Sequence, residues 1–253
     1  MGSNVKLDVR AYPLENAQGS TKAFVSVAFN DIVAIRGIRV VDGQNGLFVT
    51  MPQSKSEKDG KTEYHDIAFP KSAELRKEVN RAVLAEYAKS QSAEYKPNQN
   101  GRDAEKQEQQ DSQTGGDVKL VVWANPFDSP QSSTKAFANV LFKNGDEDLI
   151  VINGIRVVDG QNGLFVTMPQ SKQEKPDGTT EYHDIAFPLT NDLRKELNTA
   201  VLAEYARSMS TERTTERKPS FSDRLAEGHE KSAKVTEQKP AKPAAKTSPG
   251  LGD

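Results

Sequence analysis

The residue pair best suited to catalysis in this 253-residue chain is a histidine followed by an aspartate, and it occurs twice, at His65-Asp66 and His183-Asp184. An imidazole acts as a general base when a neighbouring carboxylate orients it. Both pairs lie in the segment EYHDIAFP, and in an extended segment adjacent side chains point to opposite faces. No nucleophile stands beside either pair, and the chain contains no cysteine. The pattern therefore argues against an enzyme.

Two kinds of aspartate-containing turn are candidates for binding a cation or a phosphate. DGQNG, at residues 42–46 and 159–163, is not followed by the Gly-Lys-Ser/Thr of a phosphate-binding loop, and one aspartate is not a coordination sphere. KNGDED, at residues 143–148, lacks the ligand spacing and the closing glutamate of a calcium loop. We interpret DGQNG as a β-hairpin turn, in which Asn-Gly supplies positive φ angles, and KNGDED as an acidic turn. The sequence predicts no cofactor and no metal site.

Cationic side chains provide the third candidate, a surface that contacts phosphates. Arg39 and Arg156 alternate with apolar residues, so we expect them on the outer face of a sheet. Other cations lie in a polar loop and at a helix start, where backbone N–H groups also attract anions. The predicted nucleic-acid-binding residues are Arg39, Lys55, Lys58, Lys61, His65, Lys71, Arg76 and Lys77, and then Arg156, Lys172, Lys175, His183, Arg194 and Lys195. An ordinary solvated charged surface is the alternative interpretation.

Net charge alone does not indicate a nucleic-acid-binding protein. Residues 1–90 carry 13 cationic and 11 anionic side chains, whereas residues 117–208 carry 9 and 13. Neither region has the strong positive excess of a simple electrostatic binder. We therefore expect phosphate contacts to depend on local clusters of cations, and mainly on those of residues 1–90.

Two copies of one small domain must position these residues. The segment GIRVVDGQNGLFVTMPQSK occurs unchanged at residues 37–55 and 154–172, and EYHDIAFP and AVLAEYA follow each copy. By contrast, residues 5–24 and 118–137 share only 12 of 20 positions, and Trp123 replaces Arg10. Since a duplication alone would spread the differences more evenly, we infer that something beyond the fold holds the central block constant. A pairing surface between the repeats is one such constraint.

Each repeat has the pattern of a small α+β fold. Alternating residues at 5–11, apolar positions Phe24, Val27 and Phe29, and a returning strand at 32–41 predict an antiparallel meander. Residues 53–62 are predicted to form a polar loop, and a helix follows from Ser72, or from Thr190 in the second repeat. We therefore predict two repeats of a small antiparallel β-sheet with a C-terminal helix packed on it.

Composition sets the boundaries of the repeats. We predict a first repeat at 1–90, a flexible polar linker at 91–117, a second repeat at 118–208 and a low-complexity, disordered tail at 209–253. The absence of cysteine fits a reducing compartment, and no apolar run is long enough for a signal or a membrane span. We expect a cytoplasmic protein with no membrane partner.

The order and spacing of these blocks resemble the stage V sporulation protein G (SpoVG) family. The resemblance rests on IRVVDGQNGLFVTMP, a charged loop with Asp-Gly, HDIAFP and a helix with AVLAEY, and it covers most of residues 5–90 and 118–208. It implies a bacterial, non-enzymatic regulator that binds DNA or RNA and is linked to septation, cell division and sporulation. Family domains look like homodimers, so it also implies that the two repeats pair within one chain as a pseudo-dimer.

Two departures from the family pattern imply weaker phosphate binding. The loop after Met51-Pro52 reads Gln53-Ser54-Lys55, where relatives often carry Ser-Lys-Arg, and His65 stands where relatives tend to carry arginine. A histidine is mostly neutral at pH 7, so a permanent cation is lost. A protein-interaction adaptor in cell division or mobile-element biology, with an unknown protein bound by the acidic second repeat and the tail, is the alternative function.

Overall fold

The computed structural model describes residues 5–15, 18–58, 60–92, 117–175 and 177–215. Most of the predicted linker and tail lies outside these residues. None of the described helices is both long and apolar enough to span a membrane.

The two repeats have the same order of elements. In the first repeat these are β1 (Leu7–Pro13), β2 (Thr21–Phe29), β3 (Val33–Gly43), β4 (Gly46–Thr50), β5 (Gln53–Lys58), β6 (Lys61–Asp66), β7 (Ala68–Pro70) and α1 (Ala73–Ser90). In the second they are β8 (Val118–Pro126), β9 (Thr134–Asn144), β10 (Glu147–Gly160), β11 (Gly163–Thr167), β12 (Gln170–Glu174), β13 (Thr180–Asp184), β14 (Ala186–Pro188) and α2 (Asn191–Thr215). Strands β1–β4 and β8–β11 are antiparallel meanders, so the predicted fold class is confirmed.

The short last strand of each repeat, β7 or β14, is exchanged between the repeats. β7 pairs with β10 of the second repeat, and β14 pairs with β3 of the first. The exchange extends beyond the C-terminal end of each strand, because Lys71 N donates to Leu149 O at 2.8 Å and Leu189 N donates to Ile32 O at 2.9 Å. Each five-stranded sheet therefore contains one strand that belongs to the other repeat.

The residues that lie beside the exchanged strands differ in type between the two repeats. The Arg36 guanidinium lies 4.5 Å from the centre of the Phe187 ring. At the corresponding place in the second repeat, Asn153 Nδ2 donates to Asp66 O at 3.0 Å. The two contacts have different chemistry but occupy the same position in the fold.

One cluster of buried residues draws on both repeats. It includes Phe29 and Ile35 from the first sheet and Phe142 and Ile152 from the second. Each helix contributes the apolar side of its three- and four-residue spacing, with Leu75, Val79 and Val83 buried on α1. The Ser72 hydroxyl accepts from Leu75 N at 3.1 Å, which caps α1 as predicted.

The segment predicted as a polar loop is a β-hairpin instead. β5 and β6 form their own two-stranded sheet, and only Asp59 and Gly60 lie between them. Its residues are exposed on both faces, so the sequence shows no apolar alternation and period-two patterning cannot detect it. Pairing starts at the base, where Ile67 N donates to Pro52 O at 2.8 Å, and the ladder extends outward from there.

The two predicted turns form with small differences in geometry. DGQNG closes the β3–β4 hairpin, but the positive φ falls on Gly46, at 101°, and not on Asn45 as well. KNGDED closes β9–β10 with only Gly145 and Asp146 between the strands. This part of the second repeat is four residues longer than in the first, and the strands are longer as well, spanning 11 and 14 residues against 9 and 11.

The exchange of strands predicts a change of oligomeric state on truncation. Residues 1–92 alone should form a homodimer, because β7 has no β10 to pair with and the open edge of β3 in a second copy is the equivalent acceptor. Residues 1–215 should stay monomeric, since β14 occupies that edge. Light scattering at tens of micromolar checks both, and a monomeric 1–92 fragment would contradict the expectation.

Candidate nucleic-acid interface

Within each His-Asp pair, the histidine and the aspartate contact different groups. His65 Nε2 lies 3.5 Å from Glu63 Oε2, and His183 Nε2 lies 3.4 Å from Glu181 Oε2. The neighbouring aspartates contact other groups altogether. The imidazole is therefore not oriented by the aspartate that follows it, which is the arrangement expected from strand geometry.

Asp66 ties the β5–β6 hairpin to the start of α1. Its Oδ2 accepts from Arg76 Nη2 at 3.0 Å and its Oδ1 accepts from Gln53 Nε2 at 2.8 Å. The second repeat builds the same clamp, with Asp184 accepting from Arg194 at 2.8 Å and from Gln170 at 2.9 Å. The hairpin and the helix start thus converge at the hairpin base.

Six of the predicted phosphate-contacting cations form ion pairs. Arg76 and Arg194 are held by the clamp aspartates, and the rest are lysines. The lysine pairs are Lys55–Glu57 at 3.0 Å, Lys172–Glu174 at 2.8 Å, Lys195–Asp192 at 3.1 Å, and Lys175–Glu181. The hydrogen bond from Lys175 holds the pKa of Glu181 below its ordinary value. Lys58 ends β5, at the tip of the hairpin.

Five of the predicted cations, namely Arg39, Lys61, Lys71, Lys77 and Arg156, have no anionic partner among the described residues. Lys61 begins β6, Lys71 follows β7 and Lys77 lies in the second turn of α1, all in the first repeat. Arg39 and Arg156 lie at equivalent places in β3 and β10. The predicted set thus contains both ion-paired side chains, as in an ordinary charged surface, and unpaired cations of the kind that contact phosphates.

One further cation of this surface was missed from the sequence. Arg81 is exposed and lies one helical turn beyond Lys77, on the same side of α1. The signal was present, because residues four apart in a helix are neighbours. The second repeat has Thr199 at this position, and it has Thr179 and Leu189 in place of Lys61 and Lys71.

The outer face of each sheet, opposite the core, carries exposed aromatic rings. Phe24 in β2 is the register partner of Arg39 in β3, and Phe48 in β4 lies opposite Val41. Phe24 was expected among the apolar positions of its strand, but it is 45% exposed, while Val25, Val27 and Phe29 are buried. Unbroken alternation, with Ala23, Val25, Val27 and Phe29 buried, places Phe24 on the outer side of β2.

No group of three or more His, Asp or Glu side chains able to hold a metal ion occurs in the described ranges.

Comparison with known proteins identifies the family. The SpoVG family profile matches residues 5–89 and 119–207. The chain belongs to the SpoVG family. It is 44% identical over 82 residues to the "Putative septation protein SpoVG" of Clostridium perfringens (strain ATCC 13124), a match that covers 32% of this chain and 87% of the relative. Identically named proteins match over 87 residues at 41% in Clostridium kluyveri and 43% in Thermoanaerobacter sp. (strain X514), covering 34% of this chain and 86% and 90% of those relatives.

The clamp predicts a stability effect at the hairpin base. Asp66→Asn should lower the free energy of unfolding by about 1 kcal/mol, because the amide keeps the shape but loses the charge-assisted bond from Arg76. Glu57→Gln, which breaks the exposed pair with Lys55, should change it by less than about 0.5 kcal/mol. Urea denaturation compares the two variants. Equal stabilities would show that the clamp is only another surface pair.

Proposed function

We propose that this chain is a non-enzymatic regulator that binds nucleic acid through a surface formed by the β5–β6 hairpin and the start of α1. A role in septation or sporulation control is proposed with it, from the names of the relatives. The observation that carries the proposal is the group of cations without anionic partners in the first repeat: Lys61, Lys71, Lys77 and Arg81.

Unpaired cations contribute more to phosphate binding than paired ones. A lysine that already contacts a carboxylate must exchange that contact for the phosphate, and the neighbouring carboxylate then repels the nucleic acid. The exposed pairs themselves are worth only about 0–1 kcal/mol, so the exchange remains possible. In the second repeat Lys172, Lys175 and Lys195 are all paired, and Thr179 and Leu189 replace Lys61 and Lys71, so this repeat contributes less.

Pairing of the two repeats supports a single, fixed binding unit. β7 lies in the sheet of the second repeat and β14 lies in the sheet of the first. The two hairpin–helix surfaces are therefore attached to one core. We propose that this chain acts as the intramolecular equivalent of a dimer of single-repeat relatives. Nucleic acid that touches both hairpins then binds with the benefit of two linked sites.

A protein-interaction adaptor is the second candidate, and one observation favours it. Val121 and Trp123 are exposed on the outer face of β8, where the first repeat has Asp8 and Arg10. Exposed aliphatic and aromatic residues in an acidic repeat are typical of a protein-binding surface. In that function, nucleic-acid binding would be weak or absent.

The salt dependence of binding tests the main proposal. Lys61→Ala, Lys71→Ala and Lys77→Ala, made together, should flatten the slope of log Kd against log salt by about 2–3, since each phosphate contact contributes about 1. The control is the triple alanine variant at Lys172, Lys175 and Lys195, three paired lysines, for which a smaller change is expected. Fluorescence anisotropy with labelled 30-nucleotide single-stranded and duplex DNA and RNA supplies the slopes.

Two results would count against the proposal. If both triple variants flatten the slope equally, the unpaired cations of the first repeat have no special role. If wild-type protein binds none of the probes at low salt, the adaptor function takes precedence.

A further inference from the structure

The outer faces of the two sheets present the same three side chains. In the first repeat they are Phe24, Arg39 and Phe48, and in the second Phe137, Arg156 and Phe165; we call each set an outer row. The four rings are between 42% and 47% exposed. In both rows the arginine lies in the strand between the two aromatic strands, and the first phenylalanine is its register partner.

Glycine seats the second ring of each row. A Cβ atom built on Gly43 would lie 2.7 Å from Cε1 of Phe48, and one on Gly160 would lie 2.7 Å from Cε1 of Phe165. Each ring therefore lies against bare backbone, in a space that any other residue would fill. This contact holds the ring in place while much of its surface faces solvent.

The arginine at the centre of each row is available to a ligand. Neither Arg39 nor Arg156 has an ion pair or a side-chain hydrogen bond with any residue that the structure describes. Asp42 and Asp159 are instead near lysines of the first aromatic strands: Lys22 in β2 lies 3.6 Å from Asp42, and Lys135 in β9 lies 3.8 Å from Asp159. The rows thus combine flat apolar rings with a free planar cation.

Divergence between the repeats sets the rows apart from the edge strand of the same sheet. On the edge strands, the outward residues Asp8, Arg10 and Tyr12 have become Val121, Trp123 and Asn125. The row residues are unchanged, although they are exposed and packing of the core does not require them. A ligand that contacts both rows accounts for this difference within one surface.

We propose that the two outer rows are stacking sites for the unpaired bases of single-stranded nucleic acid. The proposal rests on the proposed function and adds to it the form of nucleic acid and a second surface. Base–aromatic stacking with arginine is a common means of binding single strands without strict sequence choice. Phe24 and Phe48 are separated by one strand and about 12 Å, which leaves room for the Arg39 guanidinium between two stacked bases.

A single strand fits the rows better than the other occupants. In a duplex the base faces are stacked on each other and cannot reach exposed rings on a sheet. In the first repeat Tyr12 is the register partner of Phe24 on β1, and the charged pair Arg10–Asp8 lies further along that strand. The free guanidinium in each row favours a phosphate-bearing ligand.

Trp123 provides an intrinsic reporter of the second row. It is the only tryptophan of the chain, it faces outward from β8, and its register partner Asn139 is two residues from Phe137. It is therefore a diagonal neighbour of Phe137, about 7–8 Å away between backbones. A base stacked on Phe137 should quench its fluorescence.

The test uses the full chain with 20-nucleotide poly(dT), poly(U) and a 20-base-pair duplex. Both single strands should quench Trp123, and the duplex should bind more weakly. Phe24→Ala combined with Phe137→Ala should raise the Kd for poly(dT) at least about fivefold. Gly43→Ala combined with Gly160→Ala, which displaces the seated rings without changing a charge, should also weaken binding.

The matched control is Leu47→Ala combined with Leu164→Ala. These leucines are each 44% exposed, directly precede the second phenylalanine of each row in the chain and are duplicated like it, but have no aromatic face. Their removal should leave the Kd for poly(dT) within about twofold, because stacking supplies the effect measured in the phenylalanine variant.

Failure of this inference and failure of the proposed function give different results. If oligonucleotides bind but neither row variant changes the Kd, or Trp123 is not quenched, the stacking sites are wrong and the hairpin–helix surface stands alone. A duplex bound as tightly as the single strands overturns the inference as well. If no oligonucleotide binds, the stacking inference and the proposed function are both contradicted.

Discussion

Everything in this molecule depends on backbone groups at two sheet edges, those of β3 and β10. An unpaired edge exposes N–H and C=O groups that must find partners. Here the partner is a three-residue strand from the other repeat, preceded by the clamp aspartate and followed by the helix. The same short connection therefore fixes the hairpin on one side and the helix on the other. Displacing β7 would disturb the core, the clamp and the cations of α1 together.

This dependence explains how two surfaces of different chemistry are held on one scaffold. The hairpin and helix present cations that suit phosphates, while the outer rows present rings and a guanidinium that suit bases. Phosphate contacts give affinity that falls with salt, and stacking gives a contribution that salt hardly affects. The chain has a net charge of −2, so regional charge alone would not predict the surfaces that we propose.

The sequence predicted those features that rest on local patterns. The meander, the DGQNG hairpin and the cap at Ser72 follow from alternation, turn residues and a hydroxyl before an amphipathic segment. The β5–β6 hairpin was mistaken for a loop because its residues are polar on both faces. Phe24 was grouped with Val27 and Phe29 because it is large and apolar, although an odd spacing along a strand places it on the opposite face. Ion pairing of Lys55 or Arg76 depends on side-chain distances that spacing in the chain does not contain.

The strands exchanged within a single chain also have a consequence for symmetry. A dimer of identical subunits presents the same contact twice, and any substitution alters both halves. In this chain Arg36 faces Phe187 in one half while Asn153 faces the backbone of Asp66 in the other. The two halves are related in fold but distinct in chemistry, so they can be distinguished from each other. A linear polymer lying across the molecule would meet different groups in each direction, so the proposed binding implies a preference for one polarity of the strand.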